Sequence, residues 1–179
     1  MKILAFAASN SRHSINKQLV SHAADVYKTE IDTQAEIEIL DLNDYEMPIF
    51  SVDREEESGV QPLAQQFHDK IGAADAILIS YAEHNGSYTA AYKNIFDWTS
   101  RINPKVFQGK PMLIMSASPG PGGAASVLKV ATDSAPYFTA DVRGSFSVGP
   151  FSAKFDADAG KLIDPELMEQ LRAALNNLK

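Results

Sequence analysis

Five short apolar runs alternate with helically spaced segments along the chain, and this alternation limits the fold more than any other feature. The first run, residues 2–8, is compact and apolar, as in a strand buried on both faces. The second, Ala35 to Leu42, alternates apolar and charged residues at first, which suits a strand nearer a sheet edge. Residues 76–80, 112–117 and 138–147 read as the remaining three. Between them, helical spacing recurs. Ile15, Leu19, Ala23 and Tyr27 form one stripe, with Ser14 as N-cap. Leu63, Phe67 and Ile71 form another within 61–73. Ala91, Ile95 and Trp98 lie on a helix ending near Arg101, which places Trp98 in core or interface packing. A further helix spans about 124–134. Asp164-Pro165-Glu166 opens the last, with Leu167, Leu171, Ala174 and Leu178 as its buried stripe. Residues 43–60 read as a long connection, with an apolar patch at Met47 to Phe50 and a solvated acidic run at 53–58. Gly149 to Gly160 reads as loop. Strands alternating with helices predict an α/β fold: one parallel sheet, order 2-1-3-4-5, with helices on both faces.

The totals narrow the function. A length of 179 residues favours one domain spanning 1–179. A formal net charge of -7 argues against a general nucleic-acid partner. With no cysteine, disulfides, thiolate catalysis and cysteine-held metals are excluded. No apolar run reaches the length of a membrane span. Met1 to Ala8 leads into Ser9-Asn10-Ser11-Arg12 without a cleavage region, so it reads as the first strand of a cytoplasmic protein, not a signal peptide.

In the predicted order, strands one, three and four are neighbours, and ligands bind outside the carboxyl ends of such strands. Three polar or glycine-rich loops lie there. Ser9 to Asn16 offers three hydroxyls, a guanidinium and free N–H groups at a helix start, which suits a phosphate. It is neither a Walker loop nor a dinucleotide fingerprint. Ala82-Glu83-His84-Asn85-Gly86-Ser87 can edge a flat ring, with His84 able to stack. Ser116 to Gly123, with Gly120, Gly122 and Gly123, permits close approach of backbone to a ligand. Taken singly, N-capping would explain the first loop and a tight structural turn the third equally well, and a solvent-exposed turn would explain His84 better than a ligand contact does.

These segments resemble the NADPH-dependent FMN reductase family, flavodoxin-like flavoproteins that include quinone, azo-dye and chromate reductases. The resemblance covers roughly residues 2–150. The family's Gly-Ser-x-Arg-x-x-Ser-x-Asn is matched here by Ala8-Ser9-Asn10-Ser11-Arg12-His13-Ser14-Ile15-Asn16, with Ser11 in the arginine's slot. Its Pro-Glu-Tyr-Asn-x-Ser and Leu-Lys-Asn-x-x-Asp-Trp are similar to Ala82 to Ser87 and Tyr92 to Trp98, with Thr89-Ala90 near the family's Pro-Gly. Gly109-Lys110-Pro111 with Ser116 to Gly123 is similar to the third segment.

The resemblance implies a flavodoxin-like three-layer fold holding FMN. It implies cofactor contacts from Ser9, Ser11, Arg12, Ser14, Ile15 and Asn16. It adds Ala82, Glu83, His84, Asn85 and Gly86 at the ring, and Ser116, Ser118, Gly120 and Gly122 from the third loop. The implied activity is hydride transfer from NADPH or NADH to FMN, then ping-pong transfer to a small acceptor: a quinone, azo compound, metal oxyanion or free flavin. The flavin carries the chemistry, so no protein acid or base is assigned and no metal is expected. Met47 to Phe50 would border the open face of the ring. Homodimers or homotetramers are implied, with Trp98 and Arg101 as contacts.

The nearest rival is a flavodoxin-like electron carrier, whose Thr-rich phosphate loop is absent here. A receiver domain needs acids where this chain has Ala7-Ala8-Ser9 and Ser80-Tyr81. No Gly-x-Ser-x-Gly frames Ser87 or Ser118, as a serine hydrolase would want. The histidines, at 13, 22, 68 and 84, form no metal-hydrolase cluster.

Overall fold

The computed structural model describes Met1–Lys179. Its central sheet has five parallel strands in the order β2-β1-β3-β4-β5. They are β1 (Lys2–Ala8), β2 (Glu36–Leu40), β3 (Ala76–Tyr81), β4 (Pro111–Ala117) and β5 (Asp141–Val148). The sequence expectation holds in both strand count and order. The charge-alternating β2 lies at an edge, whereas β3 is buried along its whole length.

Each side of the sheet carries its own apolar core. One packs α1 (Ile15–Val26) and α7 (Pro165–Asn176) against β1, β3, β4 and β5. The other packs α3 (Pro62–Ala73), α4 (Ala90–Ile102) and α5 (Ala125–Ser134) on the opposite face. Burying a single Leu or Ile stabilises by about 1.5–3 kcal/mol, so the two stripes on α1 and α7 suffice to seat those helices. Asp164 caps α7 as the sequence predicts, accepting from the N–H groups of Glu166 and Leu167.

Two stretches hold more structure than expected. Within 43–60, Ser51 caps a short helix, α2 (Val52–Ser58), by accepting from the Arg54 N–H. The helix buries no residue, so hydrophobic periodicity carries no trace of it. The acidic run is its solvated surface. Within 149–160, a one-turn α6 (Phe151–Lys154) leads into a ribbon of β6 (Phe155–Asp156) and β7 (Lys161–Leu162). Those strands are two residues each, too short to show a period.

Trp98 is fully buried, which settles it as core. Its indole donates to the Pro48 carbonyl at 2.7 Å. Arg101 pairs with Glu55 of α2 and lies over the Phe50 ring. No helix is long and apolar enough to cross a membrane.

Candidate functional site

The sheet register places the three loops side by side. Ala8 is level with Tyr81, and Tyr81 with Ser116. The loops that follow β1, β3 and β4 therefore leave the sheet at one rim. They enclose an open cleft of about 250 Å³.

The first loop is built by its own side chains. Ser9 Oγ accepts from the Ser11 N–H, and Ser11 Oγ accepts from the His13 N–H. Ser14 Oγ caps α1 through the Lys17 N–H. The N–H groups of Ser14, Ile15 and Asn16 find no acceptor within the chain. They stand at the positive end of the α1 dipole, so the donor set fits a phosphate. Ser9, Ser11, Ser14, Ile15 and Asn16 all line the cleft. Arg12 is exposed and lies outside the lining, whereas its neighbour His13 lies within it.

Asn16 is also a brace. Its Oδ1 accepts from the Ala117 N–H at 2.9 Å and from the Ser80 hydroxyl at 2.7 Å. Its Nδ2 donates to the Ala117 carbonyl at 3.1 Å. The residue is buried, so this amide ties α1 to the ends of β3 and β4.

The second loop is a two-residue turn. His84 and Ser87 exchange both backbone hydrogen bonds, at 3.0 and 3.2 Å. Asn85 and Gly86 between them have φ of 53° and 77°. Positive φ at both central positions is the signature of a type I′ turn, for which Asn-Gly is the preferred pair. Ala82, Glu83 and His84 line the cleft, while Asn85 and Gly86 form the exposed tip beyond it. Thr89 then caps α4 and donates to the Ala8 carbonyl at 3.0 Å, binding this loop to β1.

The third loop contributes Ala117, Ser118 and Pro119 to the cleft. Ser116 is fully buried behind the wall and donates to the Gly123 carbonyl at 2.7 Å. Gly120 and Gly122 are exposed and outside the lining. The position that demands glycine is Gly149, in the stretch read as loop. A Cβ there would lie 2.5 Å from the Gly120 carbonyl oxygen and from the Gly123 nitrogen. Helix α5 begins after Ala124, which has a left-handed φ of 61° and no side-chain cap. Glu83 supplies the cap from the second loop, accepting from the Val127 N–H at 2.8 Å.

Beside the cleft, Asn10 shares a second hollow of about 230 Å³ with Tyr45, Met47, Ile49 and the first turns of α4. Asn94 holds the apolar segment in place. Its Oδ1 accepts from the Phe50 N–H, and its Nδ2 donates to the Met47 and Pro48 carbonyls. Sequence reasoning missed Asn94, although it lies inside the motif Tyr92 to Trp98. It also passed over His13, Ala117 and Pro119, each a direct neighbour of a residue it chose.

A family model described as NADPH-dependent FMN reductase matches residues 1–152. An NAD(P)H:quinone oxidoreductase of Solanum tuberosum is 31% identical over 178 residues, covering 98% of this chain and 89% of the relative. A probable NADPH:quinone oxidoreductase 2 of Oryza sativa subsp. japonica is 30% identical over 182 residues, covering 100% and 87%. Among solved structures, the flavoenzyme FerB, an NAD(P)H:(acceptor) oxidoreductase from Paracoccus denitrificans, superposes with a TM-score of 0.76. It is 21% identical and covers 99% of this chain and 94% of its own, a likeness of fold. With the family model spanning all five strands of the central sheet and all three rim loops, the chain belongs to the NADPH-dependent FMN reductase family.

Proposed function

We propose that the chain, acting as one FMN-binding domain over residues 1–179, is a cytoplasmic NAD(P)H-dependent oxidoreductase that reduces a small acceptor and works as a homodimer or homotetramer. When bound, FMN supplies the chemistry, taking a hydride from NADPH or NADH and passing reducing equivalents to a quinone, azo compound, metal oxyanion or free flavin in a ping-pong cycle. The protein binds, orients and limits access. Ser14 and the unpaired N–H groups of Ile15 and Asn16 would hold the phosphate. Ala82, Glu83 and His84 would edge the ring, with Ser118 and Pro119 lining the cleft from the third loop. The hollow beside Asn10, lined by Met47 and Ile49, borders the face at which donor and acceptor take turns.

The observation that carries this reading is the convergence of three strand-end loops on one cleft whose helix-start donors have no partner in the chain. The test is anaerobic. The protein is loaded with FMN, freed of excess, and mixed with NADPH or NADH while visible absorption is followed. Rapid bleaching, with reoxidation by a quinone, supports the oxidoreductase. Retained FMN that neither donor bleaches would favour an electron carrier. Failure to retain FMN would overturn the site.

A further inference from the structure

No lysine or arginine lines the rim cleft. The two nearest in sequence are engaged elsewhere or stand apart. Arg12 is exposed and outside the lining, and the Lys17 ammonium pairs with Asp41 at 2.5 Å. Three titratable side chains do line the cleft: His13, Glu83 and His84. Glu83 adds a negative charge while its carboxylate accepts from the Val127 N–H. With both imidazoles neutral, the lining is therefore net negative. A phosphate monoester brings about −1.5 to −2 charges near neutral pH, which such a lining would oppose. Any full positive charge that meets it must come from an imidazole.

The two imidazoles are not equivalent. His13 directly precedes Ser14, the cap of α1, and shares its loop with the unpaired N–H groups of Ser14, Ile15 and Asn16. Two nested side-chain bonds fix its backbone there. Ser9 Oγ accepts from the Ser11 N–H at 3.2 Å, and Ser11 Oγ accepts from the His13 N–H at 3.3 Å. His84 belongs to the second loop, where its backbone is pinned by Ser87.

We propose that His13 is the cation of the phosphate site, so that FMN is held by a charge that pH can remove. This rests on the reading that the start of α1 holds the phosphate. An imidazole changes charge between about pH 5 and 8, whereas a guanidinium does not. A bound dianion favours the protonated ring, so FMN affinity falls as pH rises through that range. Riboflavin, which lacks the phosphate, is blind to the change.

The test is titration of the apoprotein with FMN and with riboflavin by fluorescence quenching, from about pH 6.5 to 8.5, above the second ionisation of the phosphate. Far-UV circular dichroism is the folding control. The ratio of FMN to riboflavin affinity should fall about tenfold across the range in the wild type. His13→Gln should lower the ratio about tenfold at pH 6.5 and leave it flat. His13→Arg should hold it at the wild-type acidic value throughout. Arg12→Ala should leave the ratio and its fall unchanged, and His84→Gln should keep the fall. A fall that survives in His13→Gln would overturn the assignment, as would its loss in Arg12→Ala or His84→Gln. FMN and riboflavin weakening in parallel would mean that the charge does not meet the phosphate. A wild type that binds riboflavin as tightly as FMN at every pH would remove the phosphate site itself.

Discussion

The carboxylate of Glu83, in the loop after β3, accepts a hydrogen bond from the Val127 N–H in the first turn of α5 at 2.8 Å. Helix α5 has no capping side chain of its own, because Ala124 occupies that position. One acid therefore caps a helix from outside and joins two of the three loops around the cleft. An anionic acceptor at a helix N-terminus also gains from the helix dipole.

Replacing Glu83 with Ala should separate the second and third loops. The expected loss is about 1–2 kcal/mol of stability, with FMN retention weakened about tenfold. Glu83→Gln keeps an acceptor and should recover most of both. Urea unfolding and FMN titration by fluorescence quenching read the two effects. An alanine variant that binds FMN like the wild type would show that the tie does not shape the cleft.

Ser14 has two separable duties. As the cap of α1, its loss in Ser14→Ala should cost about 1 kcal/mol of stability. As a wall of the cleft proposed to hold the phosphate, its loss should weaken FMN about tenfold while leaving riboflavin, which lacks the phosphate, unchanged. Equal weakening of both flavins would place Ser14 away from the phosphate.

Asn16 offers a test of the frame. Asn16→Ala strands the Ser80 hydroxyl and both backbone groups of Ala117 in a buried place. Unpartnered buried groups cost about 1–3 kcal/mol each and do not add fully, so a total near 3–5 kcal/mol is expected from urea unfolding. A loss below about 1 kcal/mol would mean that water replaces the amide.

Acid stability should report the Lys17–Asp41 pair, which ties α1 to the end of β2. The Lys17 ammonium, 2.5 Å away, and the Asn43 N–H hold the Asp41 carboxyl at about 2, below the usual carboxylate range. A depressed carboxyl stabilises fully above its unfolded value of about 4 and loses that contribution as pH falls towards the folded value. Asp41→Asn should therefore be less stable than wild type at neutral pH, with the gap narrowing below about pH 4. Urea midpoints across that range measure it. A gap constant with pH would mean that the pair adds nothing.

What the sequence made legible follows from how local each cause is. The Asn85-Gly86 turn and the Asp164-Pro165 helix start declare themselves because the residues that need the conformation occupy it. The buried strands show as apolar runs because both faces are covered. Asn16 and Ser116 look like ligand contacts in the sequence, yet both bond inward to the frame. Asn16 does so with partners 64 and 101 residues away, a pairing that no window along the chain displays. Arg12 suits an anion by chemistry; it is exposed and outside the cleft lining, whereas His13, also exposed, lies within it. The demand for glycine at position 149 comes from the third loop packed against it, so nothing near it in the chain announces it.

Asn94 provides the last test, because it holds the segment 47–50 that walls the hollow beside Asn10. Trp98 adds a fourth tie through the Pro48 carbonyl, so Asn94→Ala loosens the segment without releasing it. None of these bonds reaches Ser14, Ile15 or Asn16, the proposed phosphate end of the cleft. The variant should therefore retain FMN normally, lose about 1–3 kcal/mol of stability, and show a raised KM for the acceptor. Steady-state kinetics with a quinone, alongside FMN titration, separates these effects. A drop in FMN affinity with an unchanged KM would mean that the segment supports the flavin itself and does not border the face where the acceptor enters.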